Sequence, residues 1–415
     1  MKIPGPTYRE MLHPEGVIRD GLFGITWRGA DHRVRHIVLP RELTGVAANI
    51  VVLLGCDFPS GSHKVGPAYA TLMEGELAGE IEPGVHTVIG PSTGNFGIGT
   101  AYVARLKGYR CVVIMPAGMS RERYERIRQY GGELDLTPGS ESDVILVLER
   151  TEVFKKDPRN KILAQFELMP NYRFHRYVTG RSALDAAQEY GNGRVAAFVS
   201  APGSAGTLAA GDEIKARFPD AVICALEPKE CSTLFNSGRG THRIEGIGDK
   251  MVTLIHNVRN TDYVSVIHDD DCVVGLELLE RQERFRGLFG VSGVCNILGA
   301  IRMARYLGLG AGDNVVTIAT DGFDRYPSVL EDLERRRGPM GESAFEEVFR
   351  GGSAEDVLDV RPPAEKRRLF DAKTEVWSGF GYSRKSLATM ESQSFWDDEF
   401  ALVEELDCRL AKARA

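Results

Sequence analysis

Short apolar runs alternate with longer stretches of mixed polarity along most of this chain. Ile50–Leu54 and Val195–Ser200 are apolar runs of strand length, and each is followed by small residues and a segment with helical features. Buried strands that alternate with helices are typical of parallel sheets covered by helices. The pattern therefore predicts an α/β fold with doubly wound parallel sheets.

The last part of the chain follows a different pattern. Residues 331–415 contain helix-like segments separated by Gly, Ser and Pro, and their aromatic residues are Trp377, Phe380, Tyr382 and Trp396. This arrangement predicts a helical C-terminal extension. Its aromatic side chains are expected to pack on the body of the protein or on a second subunit.

Composition narrows the range of functions. The chain has 415 residues, 43% hydrophobic and 26% charged, which is enough for two domains with a sizeable core. A formal net charge of −7 disfavours nucleic acid as a main partner. Seven cysteines without CxxC pairs fit a reducing cytoplasm, and nine histidines without ligand spacing predict no metal site. No apolar run approaches the ~20 residues of a membrane helix, and the N-terminus is too polar for a signal peptide.

A glycine-rich loop with polar side chains follows the apolar pair Val88 and Ile89. Its residues are Ser92, Thr93, Gly94 and Asn95, just before a helix. Such a loop can bind an anionic ligand at a helix N-terminus. Its glycines spell GNFGIG rather than the GxGxxG of a dinucleotide site. Capping of the helix by Ser92 or Thr93 would explain only one of the two hydroxyl groups.

This region carries a family resemblance. STGNFGIG, RLKGYRCVVIMPAGMSRER and RIRQYGGELDLTPG closely resemble the asparagine-loop region of the fold-type II pyridoxal-phosphate enzymes, specifically the cysteine synthase (O-acetylserine sulfhydrylase) and cystathionine β-synthase group. Further matches follow in the family's order: GCDFPSGSHKVGPA, QFELMPNYRFHRYVTG, APGSAGTLAAGDEIK, VICALEP, IEGIGDK and VVTIATDGFDRYPS. The resemblance implies a fold like that of the tryptophan synthase β-chain, with pyridoxal 5′-phosphate as cofactor.

The resemblance assigns the Schiff-base lysine to Lys64, which lies in a short loop after the strand Ile50–Leu54. An amine attacks the cofactor aldehyde only when it is neutral, and burial or nearby positive charge favours that form. The residue before the lysine, His63, differs from the residue that cysteine synthases have there. A histidine at this position is similar to the tryptophan synthase β-chain, in which it helps to hold the phosphate. An ordinary loop histidine is the alternative.

The resemblance also implies the other contacts of cofactor and substrate. Asn95 is expected to bond the 3′-oxygen of the cofactor. The phosphate is expected to lie on a loop before a helix, where N–H groups and hydroxyls face it, and that loop consists of Gly203, Ser204, Ala205, Gly206 and Thr207. The expected substrate-binding residues are Ser92, Thr93, Gly94, Phe96 and Gln165. Phe96 replaces a threonine of the cysteine synthases, so one donor for the substrate carboxylate is lost.

The residue expected to face the pyridine nitrogen of the cofactor differs from that of the family. Alignment through Arg325 and Tyr326 places Gly322 where the family has a serine. Thr320 would preserve a neutral hydroxyl if the backbone shifts by a residue or two, whereas Asp321 would hold the nitrogen protonated. We hypothesise that Thr320 is the partner, with Asp321 as the alternative.

The implied reaction takes place at the β-carbon of a β-substituted L-amino acid. Lys64 removes the α-proton as general base, a leaving group departs to give an aminoacrylate, and a nucleophile such as a thiol or sulfide adds to it. A lyase that eliminates the β-substituent, such as an ammonia-lyase acting on 2,3-diaminopropionate, would use the same residues. We expect a cytoplasmic homodimer whose partner is a small amino acid, rather than a nucleic acid or a membrane.

Four regions are predicted along the chain. An N-terminal arm spans residues 1–35, and a cofactor domain with Lys64 and the asparagine loop spans 36–190. A domain with the phosphate loop and the last core strand spans 191–330, followed by the C-terminal extension at 331–415. The site is expected between the two domains, at the carboxyl ends of their strands.

Overall fold

A computed structural model describes residues 5–16, 18, 21–337 and 344–414. The strands in these ranges are β1 (His36–Val38), β2 (Asn49–Leu54), β3 (Thr87–Pro91), β4 (Arg110–Pro116), β5 (Glu133–Thr137), β6 (Asn160–Ile162), β7 (Val195–Ser200), β8 (Val222–Pro228), β9 (Tyr263–Ile267), β10 (Asn314–Ala319) and β11 (Val357–Asp359).

The α-helices in the same ranges are α1 (Tyr8–Leu12), α2 (Arg41–Thr44), α3 (Val65–Leu77), α4 (Asn95–Lys107), α5 (Arg121–Gln129), α6 (Val144–Phe154), α7 (Met169–Phe174), α8 (Gly180–Ala187), α9 (Ala209–Arg217), α10 (Thr233–Asn236), α11 (Asp269–Glu280), α12 (Val291–Tyr306), α13 (Pro327–Arg337), α14 (Ala344–Arg350), α15 (Pro363–Gly379), α16 (Arg384–Thr389) and α17 (Gln393–Arg414). A π-helical turn, His175–Thr179, joins α7 to α8.

Two sheets organise the strands. The larger sheet has the order β1-β2-β10-β7-β8-β9-β11, in which only the edge strands β1 and β11 run antiparallel to their neighbours. The smaller sheet has the order β5-β4-β3-β6 and is parallel throughout. The central strands of the larger sheet are almost fully apolar and buried, as parallel strands covered on both faces should be. The predicted α/β architecture is confirmed.

The sheets divide the chain differently from the expected boundary at residue 190. The smaller sheet is formed by residues 87–162, which lie between β2 and β7 of the larger sheet. Residues 49–54 of β2 pair in parallel with residues 314–319 of β10. The alternation of strands and helices indicates parallel sheets, but it contains no information on which distant strands pair.

The C-terminal extension packs on the body of the protein. Trp377 is buried and its indole N–H donates to the carbonyl of Val252, while the Tyr382 hydroxyl donates to Glu167. The N-terminal arm is joined to the extension, because Asp407 accepts hydrogen bonds from two N–H groups of α1. Residues 1–4, 17, 19 and 20 of the expected arm, and 338–343 and 415 of the expected extension, lie outside the described residues.

Candidate active site

The loops that the sequence singles out follow the carboxyl ends of β2, β3, β7 and β10. Lys64 immediately precedes α3, and Asn95 is the first residue of α4. These two helices approach closely at Gly99, where a Cβ atom would lie 2.8 Å from the α-carbon of Val65. The absence of a side chain at Gly99 therefore lets the asparagine loop lie beside the Lys64 loop.

The Lys64 side chain is buried in contact with two other predicted site residues. Its Nζ donates to Ser204 Oγ at 3.1 Å and to Gln165 Oε1 at 3.4 Å. Burial lowers the pKa of Lys64 to about 8, although the carboxyl groups of Asp249 and Glu141 act in the opposite direction. The lysine is therefore much closer to its neutral, nucleophilic form at neutral pH than an exposed lysine.

The loop from Gly203 to Thr207 connects β7 to α9 and is tightly enclosed. Ala205 has a φ of 65°, an uncommon conformation for a residue with a side chain. A Cβ atom at Gly206 would lie 2.2 Å from Asn171 Oδ1. The Asn171 amide also donates to Ser204 Oγ at 3.0 Å. Asn171 therefore lies against this loop.

Asp321 and Asn95 connect the two sheets at the site. The Asn95 amide donates to Asp321 Oδ2 at 2.6 Å, and the Tyr326 hydroxyl donates to the same oxygen at 2.8 Å. The other oxygen of Asp321, Oδ1, and the Asn95 carbonyl oxygen are buried and have no hydrogen-bond partner in the described part of the chain. These two groups are free to bind a polar ligand.

Thr320 uses its backbone rather than its side chain in the observed hydrogen bonds. Its carbonyl oxygen accepts from the Ser62 hydroxyl at 3.0 Å and from His63 Nδ1 at 3.2 Å. Its neighbour Asp321 is completely buried, whereas Thr320 is half-buried. The geometry thus favours Asp321 over the first-ranked Thr320 as the group that presents a buried polar atom.

His63 is a neutral, packed histidine. Burial lowers its pKa to about 3, and the neighbouring Lys64 lowers it further. Its ring stacks on Trp27 with centroids 5.7 Å apart, and the edge-on ring of His175 lies 5.0 Å away. None of its observed hydrogen bonds reaches the described residues 203–207, whereas the His175 ring lies directly beside Gly206. His63 Nε2 is buried without a hydrogen-bond partner in the described residues, so the expected contact of His63 with the phosphate stays a prediction.

The asparagine loop contains both a helix cap and a core residue. Ser92 Oγ accepts hydrogen bonds from the N–H groups of Gly94 and Gly97, at 2.9 and 2.8 Å. Gly94 is the N-cap residue of α4, so Ser92 caps the first turn from two residues before the position that ordinary capping would use. Phe96 is almost fully buried in the main hydrophobic core. Its position does not support the expected substrate contact.

Because the Ser92 hydroxyl satisfies two backbone donors, replacing Ser92 by alanine is expected to destabilise the protein by about 1–2 kcal/mol. Chemical denaturation of the purified variant measures this change. Ser182→Ala is a matched control, since the Ser182 hydroxyl is buried but has no hydrogen-bond partner in the described ranges. A loss for Ser92→Ala no larger than that of the control would contradict the capping role.

Three further charged residues lie near the site: Glu141 and Asp249 near Lys64, and Arg123 beside Gly94 of the asparagine loop. Glu141 is 2% exposed and both of its carboxyl oxygens lack a hydrogen-bond partner among the described residues. Asp249 is 6% exposed and its Oδ2 is likewise unpartnered. Arg123 is fully buried and contacts Glu245, 2.5 Å away, and the Tyr326 hydroxyl, 2.8 Å away.

Sequence reasoning did not assign a role to these residues. Arg123 lies in the segment MSRER and Asp249 in IEGIGDK, both of which carry the family resemblance, so only their position in the chain could have suggested them. Glu141 lies between β5 and α6, in a stretch without any recognisable motif. Their proximity to the site depends on the tertiary structure.

Two classes of feature are missing from the described residues. No helix in the described ranges combines the length and the apolar character needed to cross a membrane. The same residues contain no group of three or more His, Cys, Asp or Glu side chains that could hold a metal ion.

Comparison with known proteins identifies the family. Residues 40–321 match the family described as pyridoxal-phosphate dependent enzyme. The cysteine synthase of Staphylococcus aureus is 33% identical over 284 residues, which cover 68% of this chain and 88% of that protein. The probable cysteine synthase of Bacillus subtilis is 32% identical, over 68% of this chain and 89% of its own.

A solved structure supports the same assignment. A hydrogen sulfide-producing enzyme from Fusobacterium nucleatum is 26% identical and superposes with a TM-score of 0.65, over 70% of this chain and 95% of its own. The motifs, the arrangement of Lys64 with the loops around it, and these similarities agree. The chain belongs to the pyridoxal-phosphate-dependent enzymes, in the fold-type II group that includes the cysteine synthases.

Proposed function

We propose that the protein replaces the β-substituent of a small L-amino acid, as the name of its cysteine synthase relatives describes. The observation that carries the proposal is the position of Lys64. Its buried amine lies within hydrogen-bond distance of Ser204 in the phosphate loop and of Gln165. An amine with a pKa of about 8 can act as nucleophile and as general base near neutral pH.

The residues present fit pyridoxal phosphate. Lys64, Asn95, Asp321 and the loop 203–207 would hold it. The loop offers backbone N–H groups and hydroxyls, and Gly206 leaves room that a side chain would fill. Asn95 Oδ1 and Asp321 Oδ1 are buried without partners in the described structure, and a polar ring between them would satisfy both. The cofactor supplies an electron sink for the α-carbon of a bound amino acid.

The protein's own residues perform the remaining tasks. We assign the removal of the α-proton to Lys64 Nζ, and the binding of the α-carboxylate to Thr93, Gln165 and the N–H groups of the asparagine loop. The Ser92 hydroxyl contributes through the shape of that loop, since it already accepts two hydrogen bonds. All these side chains are buried, so water is kept from the reacting atoms.

We further propose that Asp321, rather than Thr320, faces the pyridine nitrogen. The support is its complete burial and its free Oδ1 atom. A carboxylate at this place would hold a proton on the ring nitrogen through a charge-assisted hydrogen bond. The electron sink would then be stronger than in relatives that have a serine there.

Elimination without replacement is the second candidate. It would need the same residues, and the similar Fusobacterium nucleatum protein is named for producing hydrogen sulfide. The two reactions are separated by incubating the holoenzyme with O-acetyl-L-serine, with and without sulfide. Replacement predicts cysteine that forms only with sulfide. Pyruvate release at the same rate in both samples would contradict it and establish a lyase.

The capture of the cofactor by the apoprotein is expected to accelerate with pH. Lys64 has a pKa of about 8, so its neutral fraction rises from about a tenth at pH 7 to about nine tenths at pH 9. The rate of covalent attachment, followed by absorbance after mixing apoprotein with pyridoxal phosphate, should therefore increase about tenfold over this range. A rate that stays constant or falls would argue against Lys64 as the attacking amine.

The homodimer and the cytoplasmic location stay predictions. Sedimentation equilibrium of the purified protein would test the homodimer, and fractionation of the source cells would test the location.

A further inference from the structure

We propose that Glu141 and Asp249 form a subsite for an ammonium group, carried by the β-substituent of the amino acid or by the incoming nucleophile. The proposal rests on the proposed function, since the subsite lies beside Lys64. The proposal also specifies which class of reactant the site accepts. That reactant has a second amine in addition to the α-amine that joins the cofactor.

The two carboxyl groups come from opposite sides of the site. Glu141 lies between β5 and α6 of the smaller sheet, and Asp249 lies between α10 and β9 of the larger sheet. Both are close enough to Lys64 to affect its amine electrostatically, and Glu141 and Asp249 also interact with each other. The Thr93 hydroxyl of the asparagine loop lies next to Glu141. Both carboxyl groups therefore lie near Lys64, and Glu141 also lies beside the asparagine loop.

The hydrogen-bonding capacity of the pair matches an ammonium group. Glu141 Oε1, Glu141 Oε2 and Asp249 Oδ2 are three buried acceptors without partners among the residues that the structure describes. An ammonium group carries three N–H donors and no acceptor. An anionic or purely apolar group would leave these oxygens unsatisfied, which is costly in a buried site.

The neighbouring cations form no ion pair with either carboxyl group in the described residues. Arg123 binds Glu245 and acts on Glu141 only electrostatically, and Lys250 is paired with Asp143 at 2.7 Å. Lys64 is reserved for the α-proton in the proposed function. Burial raises the pKa of Asp249 to about 7 and that of Glu141 well above its usual range, although Lys64 and Arg123, respectively, act in the opposite direction. A cationic reactant would stabilise the charged form of both carboxyl groups.

Two sources could provide the ammonium group. In a 2,3-diamino acid it is the β-substituent itself, and in an amino-acid thiol it belongs to the nucleophile. The first experiment compares nucleophiles on the wild-type holoenzyme with O-acetyl-L-serine as donor. L-Cysteine and 3-mercaptopropionate share the thiol and the carboxylate, but only cysteine has the ammonium group. The second measures ammonia and pyruvate release from 2,3-diaminopropionate.

We expect at least one arm to show the preference: kcat/KM at least tenfold higher for cysteine than for 3-mercaptopropionate, or release of ammonia and pyruvate from the diamino acid. Glu141→Gln and Asp249→Asn keep the shape of each side chain but remove its charge. Each substitution should lower the ratio of kcat/KM for cysteine to kcat/KM for 3-mercaptopropionate at least tenfold. If the diamino acid is the reactant, it should lower the ratio of kcat/KM for diaminopropionate to that for O-acetylserine by the same factor. Glu149→Gln, the same change on the exposed face of α6, should leave the ratios unchanged.

The proposal is overturned if the wild type shows no preference in the first arm and no reaction in the second. It is also overturned if both variants fold and keep the wild-type ratios. The wild-type preference is measured without any substitution, so the test survives a variant that does not fold. A protein that never attaches the cofactor at Lys64, or that reacts with no β-substituted amino acid, would instead refute the proposed function.

Discussion

Replacing Lys64 by alanine is expected to lower the turnover of the holoenzyme by about a thousandfold or more. The amine is both the attachment point of the cofactor and the base that takes the α-proton, and a positioned general base alone contributes about 10²–10⁴-fold. No other lysine in the described structure contacts both Ser204 and Gln165. The variant should also lose the absorption of the covalently bound cofactor.

Two control variants isolate this effect. Lys385→Ala removes an exposed lysine of α16 and should leave turnover and absorption unchanged. Lys64→Arg keeps a cation but supplies no amine that can attack the cofactor, so it should be as inactive as Lys64→Ala. Substantial activity in either Lys64 variant, measured after removal of free cofactor, would show that another group performs the chemistry.

Replacing Asp321 by asparagine is expected to reduce turnover about a hundredfold. The substitution keeps the shape of the side chain but removes the carboxylate that we assign to the pyridine nitrogen. Loss of one preorganised electrostatic contact of this kind costs about 10²–10³ in rate. The absorption maximum of the bound cofactor should shift as well, because the ring nitrogen would lose its proton. Steady-state kinetics and the absorption spectrum measure both changes.

Thr320→Val is the matched comparison for Asp321→Asn. The hydrogen bonds of Thr320 use its carbonyl oxygen, which the substitution retains, so we expect turnover within about threefold of the wild type and the same spectrum. A larger loss for Thr320→Val than for Asp321→Asn would restore the neutral-hydroxyl hypothesis. Denaturation curves of both variants would exclude misfolding, since Asp321 also binds Asn95 and Tyr326.

Much of the site could be predicted because its residues lie in contiguous motifs at strand ends. Lys64, Ser204 and Gln165 are far apart in the chain. In the structure, Lys64 Nζ lies within 3.4 Å of a side-chain oxygen of each of the other two residues. Each lies after a strand, and parallel strands gather such loops at one edge. The family resemblance of these motifs was therefore sufficient to suggest these positions.

The remaining differences have physical causes that local patterns do not contain. The pairing of β2 with β10 determines how the sheets divide, and it joins residues more than 200 positions apart. Phe96 lies in a polar motif, but its position on α4 turns it into the core. Glu141 has no motif, and its importance follows only from burial without hydrogen-bond partners in the described structure.

The most direct test of this account is to locate the covalently bound cofactor. The holoenzyme would be treated with borohydride, which makes the bond between cofactor and amine permanent, and then digested for peptide mapping by mass spectrometry. We predict a single pyridoxyl group on Lys64, in the tryptic peptide that begins after Arg41 and contains SGSHKVG. A pyridoxyl group on another lysine, or on none, would contradict the central claim.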